Sequence, residues 1–250
     1  MTSDRYLRQR ILPEIGDEGQ QRLARARVLI AGCGALGTNL ADLIARAGIG
    51  HITVVDHDRV ELSNLQRQAL MGEADLGRPK AQAVAEALMA INSESEVSYE
   101  VTKIEAHNVE QLIEGYHLVL DGFDNLKARY LLNDTCVKHD IPWIFGTVAA
   151  TYGMTMPILP NKGPCLRCLF PSPVPDEIVL TARNAGIINT IPRAIATIET
   201  TQALKILLGS PECPVKLITY DIWRNTFSAQ KIHKAKHCPC CSEGRYEFLD

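Results

Sequence analysis

A short apolar run, Val28-Leu29-Ile30-Ala31, leads directly into "GCGALG" at Gly32 to Gly37, and helix-period spacing follows. A second apolar run, Ile52-Thr53-Val54-Val55, ends in Asp56, nineteen residues past Gly37. Strand, glycine turn, helix, strand, acid is the opening of a doubly wound α/β sheet that binds nucleotides. Gly32 permits the tight turn, Gly34 lets a phosphate approach the backbone, and Gly37 lets helix and strand pack closely. Backbone N–H groups at the helix start then attract anionic oxygens. A tight strand-to-helix turn with no ligand would use the same glycines; the acid after the second strand favours a nucleotide.

The rest of the chain repeats this alternation. Strands are expected at 27–31, 51–55, 97–103, 117–121 and 142–148, with helices near 36–47, 79–91, 108–115 and 125–139. Such alternation implies a mainly parallel sheet covered on both faces. The first two dozen residues read as helical. After Pro157 the pattern breaks: prolines from Pro160 to Pro175 mark an irregular stretch, then a helix near 193–208 ends at Gly209. Strand-like runs at 215–220 and 226–232 precede a cysteine-rich tail. The expected fold is thus a Rossmann-like, mainly parallel, doubly wound sheet with N-terminal helices and a C-terminal zinc-knuckle and strand region. The 250 residues suit one domain: a helical arm at 1–25, a nucleotide-binding core at 26–158, and crossover, helix, strands and metal site at 159–250. A net charge of −3, with no long basic run, argues against nucleic acid and membrane surfaces. No apolar run spans a bilayer and no signal peptide opens the chain, so the expected compartment is the cytoplasm.

The polar residues after Asp56 bear on which nucleotide binds. The stretch "DHDRVELSNLQRQ" places Asp58, Ser63, Asn64, Gln66, Arg67 and Gln68 beyond the second strand, and Lys80 opens the next helix. Converging cations have little use in a dehydrogenase; an enzyme attacking a triphosphate needs them to neutralise building charge. Taken alone, Arg67 and Lys80 also fit a solvated helix end. In "LVLDGFDN", Asp124 and Asn125 open a helix beyond Asp121, where Asp124 serves equally as a Mg²⁺ ligand or as an N-cap. The rival class is an NAD-binding oxidoreductase or regulatory module, in which those cations have no evident job.

The eight cysteines divide into two groups. Cys165/Cys168 and Cys238/Cys241 are two C-x-x-C knuckles that together can close a tetrahedral, structural Zn²⁺ site. Cys240 is a spare, and a Cys238/Cys240 pairing stays open. Of the others, Cys33 lies in the glycine turn and Cys136 in a helix reading as partly buried, which leaves Cys213 and Cys240 as the reachable thiols.

"RYLRQ" at 5–9, "GCGALG", "DHD" at 56–58, "SNLQRQ" at 63–68, "GRPKA" at 77–81, "DGFDN" at 121–125 and the paired C-x-x-C motifs stand in one order. In that order they resemble the MoeB/ThiF/HesA adenylyltransferases, bacterial relatives of the ubiquitin-activating enzymes. The resemblance implies a homodimer that binds Mg-ATP and converts the C-terminal Gly-Gly carboxylate of a small ubiquitin-like sulfur carrier to an acyl adenylate, releasing pyrophosphate. It implies a nucleotide site of Gly32, Gly34, Ala35, Gly37, Asp56, Asp58, Ser63, Asn64, Gln66, Arg67, Lys80, Asp124 and Asn125. Within it Asp56 holds the ribose, Asn64, Arg67 and Lys80 hold phosphates, and Asp124 organises Mg²⁺. Arg8 is implied to reach the neighbouring subunit's triphosphate. Two positions depart from the pattern. Ala35 stands where some relatives have a third glycine, and Ala182 where many have a crossover cysteine, so a covalent cysteine step is not expected. No rhodanese-like domain is expected after the knuckle, so any sulfur comes from a separate donor protein. A small-molecule or peptide carboxylate is the alternative substrate, and a tRNA-modifying role is disfavoured by charge.

Overall fold

The computed structural model describes residues 4–173, 180–213 and 215–249. Strands Arg27–Ala31 (β1), His51–Val55 (β2), Glu96–Glu100 (β3), Leu118–Asp121 (β4) and Trp143–Ala149 (β5) are the parallel half of one sheet. Tyr152–Ile158 (β6), Lys216–Asp221 (β7) and Thr226–Lys231 (β8) extend it antiparallel. The order is β3-β2-β1-β4-β5-β6-β7-β8, so successive crossovers leave β1 in opposite directions and open a crevice between β1 and β4. β1 and β4 are buried almost throughout, as strands covered on both faces must be.

Helices Ala35–Ala47 (α3), Lys80–Ile91 (α4) and Thr190–Leu208 (α9) cover one face around Leu40, Ile44, Leu88 and Ile195. Helices Val109–Ile113 (α5) and Leu126–Lys138 (α6) cover the other around Tyr130, Trp143 and Phe145. The N-terminal arm is the short helices Leu7–Arg10 (α1) and Gly16–Arg25 (α2). Two further short helices, Leu166–Leu169 (α7) and Ala182–Ala185 (α8), lie in the segment before α9. That proline-marked segment, expected to be irregular, falls partly outside the described residues at 174–179.

Two expectations need correction. β6 is not among the expected strands, and Pro157, after which the pattern breaks in sequence, pairs with Ile144 in the β5 ladder. The proline is tolerated because β7 pairs only Tyr152 to Thr155, so no strand on that side needs its missing N–H. α9 starts at Thr190 rather than near 193, because Pro192 sits in the first turn, where backbone N–H groups have no helical partner.

The glycine turn is tightly built. Gly32 has φ +102°, and a Cβ on Gly37 would collide with the Gly32 carbonyl oxygen. Gly37→Ala should therefore destabilise the protein by at least the upper end of the roughly 1–3 kcal/mol cost of overpacking, because the obstacle is backbone. Gly72→Ala is the control, since a Cβ there meets nothing within 4 Å. Thermal melts of the two variants within a degree of each other would contradict this account of the turn.

Candidate functional site

The ends of β1, β2, β4 and β5 open into a cleft of about 810 Å³. Gly32, Gly34 and Ala35 form its glycine rim, and Asp56, Asp58, Ser63, Asn64, Arg67 and Lys80 one wall. Asp124 and Asn125 stand opposite. Three expected residues do not line it. Gly37 is buried in the turn behind, Gln66 faces solvent, and Arg8 is exposed on α1.

Asp56 is tied to the glycine turn: one carboxylate oxygen accepts the Cys33 N–H at 2.6 Å, the other the Asp58 N–H at 2.7 Å. Lys80 is nearly buried, its side chain 8% exposed, and its ammonium lies 3.0 Å from the Asp58 carboxylate. Burial pushes the Asp58 carboxyl up, but the bonded ammonium outweighs this and leaves it below the usual carboxylate range. The polar loop is latched to α3. Thr38 donates its hydroxyl to the Gly34 carbonyl and accepts the Ala69 N–H at 3.0 Å. The Asn39 amide reaches the Arg67 carbonyl at 3.4 Å, and Arg67 donates to the Ser63 carbonyl at 2.7 Å. Both cations are thus fixed before any ligand arrives, which lowers the reorganisation that binding requires.

Opposite, the helix N-cap is Asn125, whose side-chain oxygen accepts the Ala128 N–H at 2.9 Å. Asp124 is released from that role and stays exposed in the cleft. Asp121 is structural: fully buried, it pairs with Arg129 at 2.8 Å, and Arg129 also donates to the Gly146 carbonyl. Cleft residues Gln68 and Arg183 stand outside the expected nucleotide site, although Gln68 reads as part of the polar loop. Gln68 is buried with an unpartnered side-chain oxygen, and Arg183 projects from α8 close enough for its charge to act on Asp58. Gln68 was visible within "SNLQRQ"; Arg183, beside Ala182, carries no sequence signal of its own. Ala182 itself lines the cleft.

At the other end of the chain, one ligand atom from each of Cys165, Cys168, Cys238 and Cys241 lies within 4.8 Å of every other. The Cys165–Cys238 and Cys168–Cys241 sulfurs are each 3.5 Å apart. Tetrahedral bonds of about 2.3 Å to zinc put sulfurs roughly 3.8 Å apart, so the set fits that ion. Contact with Cys168 pushes the Cys165 thiol far up, and contact with Cys165 and then Cys168 does the same to Cys241, while contact with Cys165 and Cys241 holds Cys168 far down. Four crowded sulfurs cannot all ionise without a cation between them. Cys240 is corrected: it is 1% exposed and its sulfur accepts from the Asn133 amide at 3.3 Å, so it is no reachable thiol. Cys136 is wholly buried rather than partly so, and Cys213 is half-buried.

A family model described as the ThiF family matches residues 6–241, the span holding both cleft and cysteines. The chain belongs to the ThiF family. It is 39% identical over 250 residues to the sulfur carrier protein ThiS adenylyltransferase of Bacillus subtilis, covering 98% of this chain and 73% of that one. It is 36% identical over 248 residues to the SAMP-activating enzyme E1 of Haloferax volcanii, covering 99% and 92%. Among solved structures, Escherichia coli MccB with ATP superposes with a TM-score of 0.82 at 22% identity, covering 96% of this chain and 75% of that one. That likeness concerns the fold. It agrees with the Rossmann-like, doubly wound sheet that this ThiF-family chain forms.

Proposed function

We propose that this ThiF-family enzyme uses Mg-ATP to adenylate the C-terminal Gly-Gly carboxylate of a small ubiquitin-like sulfur-carrier protein, releasing pyrophosphate. The observation that carries the reading is the prebuilt pair Arg67 and Lys80 beside the glycine turn, facing an Asp124 freed from capping. Two anions, carboxylate and α-phosphate, must meet, and fixed cations offset their repulsion with little proton chemistry. Asp56 would hold the ribose, Asn64 and the two cations the phosphates, and Asp124 a Mg²⁺, which would supply further positive charge at the phosphates. Cys165, Cys168, Cys238 and Cys241, none of which lines the cleft, would hold a Zn²⁺ that ties the tail to α7. Ala182 offers the cleft a methyl group, and burial pushes the Cys33 thiol well up, so the reaction stops at the acyl adenylate.

Pyrophosphate exchange into ATP tests the reading. A carrier ending in Gly-Gly should support exchange and the same carrier lacking those two residues should not; thermal stabilisation by NAD but not by Mg-ATP would sink it.

The homodimer belongs to the same proposal. α1 is anchored by the Gln9 amide on the Ala47 carbonyl at 2.8 Å, which leaves Arg8 exposed beside Leu7, Ile11 and Leu12, all exposed apolar residues. A second copy would cover them and bring its Arg8 to this cleft. Arg8→Ala and Asp124→Ala should each be inactive alone. After random exchange about half the dimers are mixed with one intact site each, so activity should return to about a quarter of wild type. No recovery once exchange is verified would mean that Arg8 acts within its own chain.

A further inference from the structure

A second cavity, of about 630 Å³, lies at the end of the sheet opposite the cleft. β6 starts beside the cleft and runs away from it, so Leu159 lies at the far end, where β7 begins at Lys216 and β8 ends at Lys231. The floor is apolar, from Leu159, Pro164, Val215 and Ile232. The rim carries Lys162, Lys216, Lys231 and Lys234, all exposed, and among the described residues no carboxylate lines the cavity. Among the described residues, none of these four lysines has an ion-pair partner.

Folding does not account for this arrangement. Lys216 and Lys231 are direct cross-strand partners, and like charges so placed destabilise a ladder. Lysines on an edge strand deter edge pairing, which covers Lys231 on β8. It does not cover Lys162 or Lys216, which come from elsewhere and converge on the same groove. On a chain of net charge −3, four uncompensated cations around an apolar floor define a receptor for an anion with apolar parts. Among the described residues no arginine lines the groove and its one aromatic ring is the exposed imidazole of His233, so it lacks the planar forks and the successive stacking platforms that single-stranded nucleic acid uses. Point-charge ammoniums above aliphatic side chains suit carboxylates interleaved with leucine-like residues.

We propose that this groove docks an acidic, leucine-containing polypeptide segment of a partner protein. Both walls run into the cysteine cluster: Pro164 precedes Cys165, and the N–H of Ala235, next to Lys234, donates to the Cys168 sulfur at 3.4 Å. The groove's walls are therefore anchored on the cysteine cluster, at the end of the sheet away from the cleft. This inference does not rest on the proposed adenylation.

The test is fluorescence anisotropy on the full chain with a labelled peptide alternating glutamate and leucine. The comparisons are polyglutamate, a glutamine-leucine peptide and an oligothymidylate. The glutamate-leucine peptide should bind most tightly, more weakly as salt rises, and equally with or without Mg-ATP. Lys231→Glu with Lys234→Glu should weaken it roughly tenfold or more while the melting temperature holds. If that pair fails to fold, Lys231→Gln with Lys234→Gln should weaken binding in the same direction. Tighter binding by oligothymidylate, equal binding by polyglutamate, competition by Mg-ATP, or binding unchanged in the folded lysine variants would each overturn the proposal.

Discussion

Lys80→Ala should lower carrier-dependent pyrophosphate exchange by roughly 10²–10³-fold, the usual loss when a preorganised group facing developing charge is removed. The size follows from how Lys80 is held. Its backbone N–H donates to the Asp58 carbonyl at 2.9 Å, its ammonium pairs with the Asp58 carboxylate at 3.0 Å, and only 8% of its side chain is exposed. A cation so placed has little freedom to lose when a phosphate arrives, and water does not replace it. Asp58 is half exposed, so losing its partner leaves no buried orphan charge and the fold should survive. The loss should fall mainly on kcat, because Arg67 remains to hold ground-state phosphates. Exchange within tenfold of wild type, at an unchanged melting temperature, would remove Lys80 from the chemistry.

How legible this was depended on whether a residue's role is local. The glycine turn, Asp56 and the polar loop are contiguous stretches whose geometry follows from their own spacing and, Gly37 and Gln66 apart, their expected residues stand along the cleft. The paired C-x-x-C motifs are similarly self-declaring. What stayed hidden depends on contacts across the fold. Glu199 belongs to a helix that the sequence places only by its extent, and it is fully buried over Gly146, where any Cβ would strike its carboxyl. Burial, with Asp121 nearby, pushes that acid well up, a state no sequence window reports. Cys240 misled in the opposite sense. Crowding near the tail suggested reach, but Asn133 on α6 seals it in. Asn133 also accepts the Leu166 N–H at 2.9 Å, so one side chain braces both knuckles from a helix distant in sequence.

Metal removal should have the larger structural effect. Purified protein should carry close to one zinc per chain, and Cys238→Ser or chelation should lower the melting temperature by on the order of ten degrees. A structural site makes binding energy part of folding energy, and a kilocalorie is worth roughly 2–4 °C in a chain this long. The damage should extend to the cleft. Phe248, beyond the second knuckle, stacks on Tyr130 at 4.8 Å, bonds through its N–H to Asp134 and lines the cleft. Arg167, within the first knuckle, pairs with Glu247 at 2.7 Å, so both knuckles hold that tail in place. Losing the ion should free residues 235–249 to hydrogen exchange and weaken ATP binding, although no cysteine of the set lines the cleft. Cys240→Ser is the discriminating variant. Its buried sulfur accepts the Asn133 amide and touches Cys165 and Asp134, but it lies outside the four-sulfur set, so zinc content should stay at one while stability falls modestly. Zinc retained by Cys241→Ser and lost by Cys240→Ser would reverse the ligand assignment, because only one of these adjacent thiols can complete the tetrahedron.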